Sequence, residues 1–504
     1  MTTRTWPGRR PPRDAAVVRG VLDAAVNAVG PDLDTSLDAT VDSISGSPVL
    51  QGRLPTWVDV VRAGHAAAKR WADLKDGNDG DVVVDVVTPE TEGTAEAAGM
   101  TGTAAGEPGV CGELPDRADA IVVGAGICGL VTARELTRHG LQVAVVEAAP
   151  RLAGQTTAWN NGMVHPGHDP LPGTLKATLN VAGNQGWGGL ARELGMRLER
   201  AGSLIVAIEE AELTGLEELA ERARANHVPG AELVSGTQAR EQEPRLNTQV
   251  CAALWTPSTA SVDPVEACVA MADDIRFHGG TITLAARVSE LLVDGDGDGD
   301  GDGDGDGVVG VRVGSAYCRA PIVVNAAGIH ADQVSATSGS RRYSLHARRG
   351  TLVVFDPGAG NRHEVSVGGL PGEFTKGGGM TARPDGLTTG GPTAVEQVGR
   401  ITLPASREEV DSILALAERL LPDFPRDSVV HVGSAVRAAT YGEDFVVGAV
   451  PGVPGLVDVA GIQSPGVASA PAIGVAVAAQ LGRLGYLPDS PPTFTPRADR
   501  TATT

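Results

Sequence analysis

Three glycines and one carboxylate carry the clearest chemical signal. Gly124, Gly126 and Gly129 form a G-x-G-x-x-G turn that includes Ile127 and Cys128, and Glu147 follows 18 residues after Gly129. In such a turn the first glycine permits a tight bend. The second lets the backbone approach a pyrophosphate, and the third lets the following helix pack close to its strand. The helix N-terminus then offers N–H groups and partial positive charge to an anion. A carboxylate at the distance of Glu147 accepts hydrogen bonds from a ribose diol. The chemistry implied is dinucleotide binding.

Those residues need a strand, a helix and a second strand in register. Ala120–Val123 is a short apolar run suited to a buried parallel strand. A helical pattern covers Leu130 to His139, with Gly140 as its stop, and a second strand spans Val143 to Val146. Further helices are expected at Ala15–Val29, Trp57–Leu74, Asn180–Leu194, Leu213–Asn226, Arg407–Leu421 and Ser469–Leu481. Another follows Asp263 as N-cap and Pro264 at the first helical position, and ends at Gly279-Gly280. Strands are expected at Asp81–Val87, Gly202–Ala207, Thr281–Val293, Ala320–Ala327, Leu352–Phe355, Leu387–Thr389 and Gly455–Gly461.

The chain has 504 residues, a formal charge of −21, 42% hydrophobic residues and 3% aromatics. Its acidity argues against nucleic acid as a partner and against electrostatic attachment to an anionic membrane. It contains no run of eighteen apolar residues, so no spanning helix is expected, although peripheral membrane contact stays open. Five cysteines lack zinc or cluster spacing, which points to a reduced, cytoplasmic setting with no metal site. The alternating Asp-Gly run from Asp294 to Gly307 holds seven aspartates. It is too uniform for a calcium loop and reads as a disordered hairpin tip between Leu292 and Val308. Residues 1–118 are an added front segment ending in a flexible linker. Its helices could dock on the main body, bind a partner, or do little.

From Asp119 to about Leu487 the chain resembles FAD-dependent oxidoreductases of the D-amino-acid-oxidase-like superfamily. Within it, the chain is most similar to the anaerobic-type glycerol-3-phosphate dehydrogenase and L-2-hydroxyglutarate oxidase branch. Four segments carry the resemblance: the fingerprint through Glu147, TTAWNNGMVHPG at 156–167, VVNAAGIHAD at 323–332, and VAGIQSPGVASAPAIG at 459–474. NAD is the competing dinucleotide, but the second and fourth segments belong to flavoproteins. The resemblance implies an α/β fold: a discontinuous Rossmann-like FAD-binding domain with an α+β substrate domain on an antiparallel sheet. It places FAD-binding parts at 119–200, 263–340 and 428–487, substrate-domain parts at 201–262 and 341–427, and a tail at 488–504. Up to Thr504 the sequence shows no cysteine-rich iron–sulfur module of the kind some members carry, so none is expected, and the resemblance offers no counterpart for the front segment. The electron acceptor therefore stays open among oxygen, a quinone and a carrier protein.

The resemblance also implies roles. Besides the fingerprint residues, Thr156 and Thr157 lie near the phosphates, and Asn161, Gly162 and Met163 lie by the flavin ring. Val288 bonds adenine through its backbone or simply packs in its strand. Gly328 lies near the pyrophosphate, and Gly461, Ile462, Gln463, Ser464 and Gly466 cap the flavin. His165 is either the base that takes up the substrate proton or a structural histidine beside the ring. Arg437 is the cation for an anionic substrate, or is tied up by Asp444 or Glu443; Arg349 is a second candidate. The leading function is hydride transfer from a small anionic 2-hydroxy compound, glycerol 3-phosphate or L-2-hydroxyglutarate-like, to flavin N5. An amino-acid or amine oxidase and a non-catalytic flavin-bearing partner-binding protein are the alternatives.

Overall fold

A computed structural model describes residues 15–30, 36–42, 47–74, 81–88, 112–294, 307–358, 361–372, 377–488 and 492–496. The central part of the Asp-Gly run and most of the linker and of the C-terminal tail lie outside these residues.

The apolar runs read from the sequence assemble into a six-stranded sheet. Its order is Thr281–Thr283, Val143–Val146, Ala120–Val123, Val323–Asn325, Leu456–Ala460 and Val446–Ala449. Five strands are parallel, and Val446–Ala449 closes the edge antiparallel to Leu456–Ala460. Parallel strands are covered on both faces, and here alternate residues part accordingly. Ala120 and Val122 pack under the helices Ile127–Arg138, Leu175–Leu194, Pro264–Phe277 and Gly466–Arg483. Ile121 and Val123 pack under a three-stranded sheet, Val288–Val293, Val308–Val313 and Ala316–Arg319.

The second body is a nine-stranded sheet. Leu345–Phe355 is its longest junction, pairing antiparallel with Val395–Gln397, Thr388–Gly390 and Val429–Thr440. Every pairing in it is antiparallel except Ser366–Gly368 beside Ser203–Ala207, which is parallel. The expected domain edge at 428 falls ahead of Val429–Thr440, a strand that belongs to this sheet; the chain returns to the nucleotide sheet only at Val446.

Several elements differ from expectation for identifiable reasons. The stretch 281–293 is two strands in two different sheets, broken where Ala285 takes a positive φ. The helix expected from Asn180 begins at Leu175. Thr174 caps it through Ala177 N, and the Asp444 carboxylate accepts from Leu175 N and Lys176 N at 3.0 and 2.8 Å. That second cap comes from 268 residues downstream and has no local signature. The last helix starts at Gly466 rather than Ser469, and the strand expected over 320–327 shrinks to Val323–Asn325.

The front segment docks. Ala15–Val29 packs on Trp57–Leu74 beside the three strands Ser36–Val41, Pro48–Arg53 and Val83–Val87, and the Tyr441 ring from the main body completes its core. Asp81 N donates to Arg342 O at 2.8 Å, and Gly442 N donates to the Asp81 carboxylate at 2.8 Å. Among the described residues no helix is long and apolar enough to cross a membrane.

Candidate active site

The strand-to-helix turn folds as its glycines require. Gly124 has φ +105°, and a Cβ there would meet Ala326 O at 2.4 Å; a Cβ on Gly129 would lie 2.0 Å from Gly124 O. The helix thus sits against the turn at a distance only hydrogen permits. Ile127 N takes the Thr157 hydroxyl oxygen at 3.2 Å, joining the turn to the following loop.

This turn opens into a cavity of about 1590 Å³, its mouth included, between the nucleotide sheet and the nine-stranded sheet. Sixteen of the sequence-selected residues line it: Gly126, Ile127, Cys128, Gly129, Thr156, Thr157, Asn161, Met163, His165, Gly328, Arg437, Gly461, Ile462, Gln463, Ser464 and Gly466. Four do not. Gly124 lies behind the turn, and Gly162, φ +73°, is pressed on Val262 O, so both shape the wall from behind. Glu147 accepts from Ala125 N in the glycine turn through one oxygen and from Ala149 N through the other, both at 2.7 Å. Val288 pairs with Val313 in the covering sheet.

The loop 156–165 is held from several sides. Thr156 donates to Val436 O at 2.6 Å, Asn161 donates to the Thr381 hydroxyl at 3.2 Å, and Asn160 accepts from Gly162 N at 2.7 Å. His165 lines the cavity half-buried, its carbonyl gripped by the amides of Asn180 and Asn184 at 2.7 and 3.2 Å. Cys128 is a packing residue: burial pushes its thiol up to about 12, far from nucleophilic.

Arg437 is the one charged side chain of the wall contributed by the sheet. It is buried and donates to Thr393 O, and among the described residues no carboxylate forms an ion pair with it. Burial, then the neighbouring Arg348, lower its pKa to about 10, with Glu396 and Glu443 opposing. Gly350 makes room for it, since a Cβ there would approach the guanidinium to 2.5 Å. Neither expected competitor holds it: Asp444 caps the helix from Leu175, and Glu443 pairs with Arg348 at 2.7 Å. Arg349 is satisfied structurally by Glu409 at 2.7 Å and is absent from the cavity wall.

Sequence reasoning missed the row behind the wall. Glu396, Arg348 and Arg437 lie directly opposite one another on three adjacent strands. Arg348 is fully buried, bound by Glu396 at 2.5 Å and by Glu443, and donates to Gln463 at 3.2 Å. Arg348 and Glu443 hold each other charged: against the cost of burial, the hydrogen bond and charge of the arginine, with Lys176 beyond it, pull the Glu443 pKa down to about 2. Strand alternation was the available signal, since Arg348 and Arg349 must face opposite sides.

Comparison with known proteins covers the same part of the chain. A family model described as FAD-dependent oxidoreductase matches residues 119–480. The chain belongs to that family. Its relatives include the glycerol 3-phosphate dehydrogenase of Caloramator mitchellensis, 29% identical over 361 residues, 71% of this chain and 72% of that protein. The mitochondrial L-2-hydroxyglutarate dehydrogenase of Pongo abelii is 29% identical over 59% of this chain and 73% of its own length. In fold, the chain is similar to the L-α-glycerophosphate oxidase of Mycoplasma pneumoniae, whose structure has FAD bound. The TM-score is 0.68 at 24% identity, covering 76% of this chain and 98% of that one. This FAD-dependent oxidoreductase thus carries the family's fold from Asp119 onward. The cavity fits the cofactor: its wall at the turn is glycine, and a helix N-terminus faces it.

Proposed function

We propose that this enzyme oxidises a small anionic 2-hydroxy compound at the carbon bearing the hydroxyl, with glycerol 3-phosphate as the first candidate and L-2-hydroxyglutarate as the second. One observation carries the reading: Arg437, a buried cation in the cavity wall with no carboxylate partner among the described residues. A buried charge is costly unless paired. A bound phosphate or carboxylate supplies the missing partner bidentately, in a geometry that suits the planar guanidinium. The named activities of the relatives support the same substrate class.

FAD, when bound, supplies the acceptor for the hydride. Gly126 to Gly129, Thr156 and Thr157 would hold its pyrophosphate, with Gly328 beside them. Asn161 and Met163 would face the ring, with Gly162 shaping the wall behind them, and Gly461, Ile462, Gln463, Ser464 and Gly466 would cover it. Glu147 would meet the ribose and the Val288 backbone the adenine. Arg437 anchors the anion and so fixes the carbinol carbon in the cavity. His165 takes the hydroxyl proton. The electron acceptor is oxygen, a quinone or a carrier protein, and the setting is cytoplasmic.

The test is anaerobic addition of glycerol 3-phosphate, L-2-hydroxyglutarate and amino acids to the FAD-loaded protein while its visible bands are followed. Bleaching by either hydroxy compound is expected; bleaching by an amino acid alone, with ammonia released, overturns the reading. Hydrogen bonds to a charged group are worth about 1.5–3 kcal/mol, so Arg437→Ala should raise KM for that donor roughly 10- to 100-fold, with FAD content unchanged. His165→Asn should instead lower kcat, by about 100-fold or more. Unaltered kinetics in Arg437→Ala would remove that residue from the site.

A further inference from the structure

Away from the cavity, two histidines and a carboxylate from three distant parts of the chain converge. The ligating atoms of His65, His346 and Glu443 lie within 4.8 Å of one another. His65 stands on the front-segment helix Trp57–Leu74, His346 on the strand Leu345–Phe355, and Glu443 just beyond Thr440.

The hydrogen bonds define what these atoms offer. His65 Nδ1 lies 2.7 Å from Tyr441 O, which only accepts, so Nδ1 carries the hydrogen and Nε2 presents its lone pair. His346 Nδ1 lies 2.8 Å from a Glu396 oxygen and is fixed as a donor in the same way. Its Nε2 is buried and has no hydrogen-bond partner among the described residues. His65 Nε2 faces Glu443 Oε1 at 3.8 Å, beyond hydrogen-bond range. Two imidazole nitrogens therefore converge on a carboxylate whose Oε1 also accepts from Arg348 at 2.7 Å. Each imidazole is oriented from behind by a carbonyl or a carboxylate, the arrangement that metal-ligating histidines require.

We propose that His65 Nε2, His346 Nε2 and the Glu443 carboxylate bind a divalent transition ion of the Zn²⁺ class, with water completing the shell, and that this ion fastens the front segment to the catalytic body. A tetrahedral ion with bonds of about 2.0–2.2 Å holds its donors roughly 3.4 Å apart, so binding draws the three together by on the order of 1 Å. Arg348 beside the cluster does not forbid a cation, because Glu396 and Glu443 both bind it. Glu443 also accepts from Gln463 at 2.5 Å, so the site abuts the cavity wall. The cysteine spacing that argues against a metal site is silent here, because the three ligands are scattered over 379 residues of sequence.

The experiment titrates Co²⁺, then Zn²⁺, into chelator-washed, FAD-loaded full-length protein. One equivalent is expected, with Co²⁺ absorption bands of a nitrogen–oxygen site and a rise in Tm. His65→Ala, at a half-buried helix position, should weaken binding by about tenfold or more and abolish the Tm rise. Protein with residues 295–306 excised should still bind its equivalent, which separates this site from the Asp-Gly run. Absence of binding in the wild-type protein, equal affinity in His65→Ala, or loss of binding on excision of the run would each overturn the proposal. Should His65→Ala fail to fold, Co²⁺ bands lacking nitrogen ligation in the wild type would do so instead.

Discussion

At the scale of single residues, close approach separates a functional glycine from an incidental one. Gly129 and Gly482 both lie in helices, but a Cβ on Gly129 would sit 2.0 Å from Gly124 O, whereas Gly482 faces open space. Overpacking costs about 1–3 kcal/mol, and here the displaced element is the helix end that faces the pyrophosphate. Gly129→Ala is expected to lower FAD affinity by about tenfold, a loss of about 1.4 kcal/mol. Gly482→Ala should leave FAD content intact and stabilise slightly, by about 0.5–1 kcal/mol. Flavin fluorescence during dialysis reads both; equal retention by the two variants would mean that the turn does not set affinity. The glycine spacing was legible because its cause is local. Arg348 was not: its importance arises from Glu396 and Glu443, brought to it from 48 and 95 residues away.

At the scale of elements, local chemistry and tertiary pairing divide the chain between them. The helix Pro264–Phe277 begins as Asp263 and Pro264 require, with the Asp263 carboxylate accepting from Val265 N and Glu266 N. The helices Ala15–Val29 and Trp57–Leu74 run as their periodicity predicts. Strands fared differently, because sheet membership depends on distant partners: 281–293 reads as one alternating run yet serves two sheets. The hairpin around the Asp-Gly run belongs to the legible part. Val293 pairs with Val308, and Asp294 N donates to Gly307 O at 2.8 Å, so the strands are closed on the near side of the run. Replacing residues 295–306 by Asn-Gly, a two-residue turn suited to such a hairpin, shortens the loop. Closure entropy then favours the folded state by up to about 1.5 kcal/mol. Unchanged turnover with an equal or higher Tm is expected in thermal melts and steady-state assays. A large loss of turnover would give the run a role in catalysis.

At the scale of the molecule, the front segment meets the main body around Tyr441. Its ring is buried among the front-segment residues Trp57, Val60, Ala63, Ala67 and Trp71. A Cβ on Gly64 would overlap the ring, so the contact is as close as two surfaces allow. His65 and Asp81 fasten the same place, through Tyr441 O and Gly442 N. The nucleotide sheet and its helices, by contrast, bury their residues without the docked helices of the front segment; from residues 1–118 only Leu114 and Ala118, at the end next to the first strand, pack against them. Removing a large buried aromatic costs about 3–5 kcal/mol, and here the loss falls on one interface. Tyr441→Ala should therefore release the front segment while the FAD domain stays folded. Hydrogen exchange reads the two separately: protection across Trp57–Leu74 should fall, and that across Ala120–Val146 should hold. If both regions lose protection together, the front segment is part of the cooperative fold, and the sheet that binds the dinucleotide depends on it.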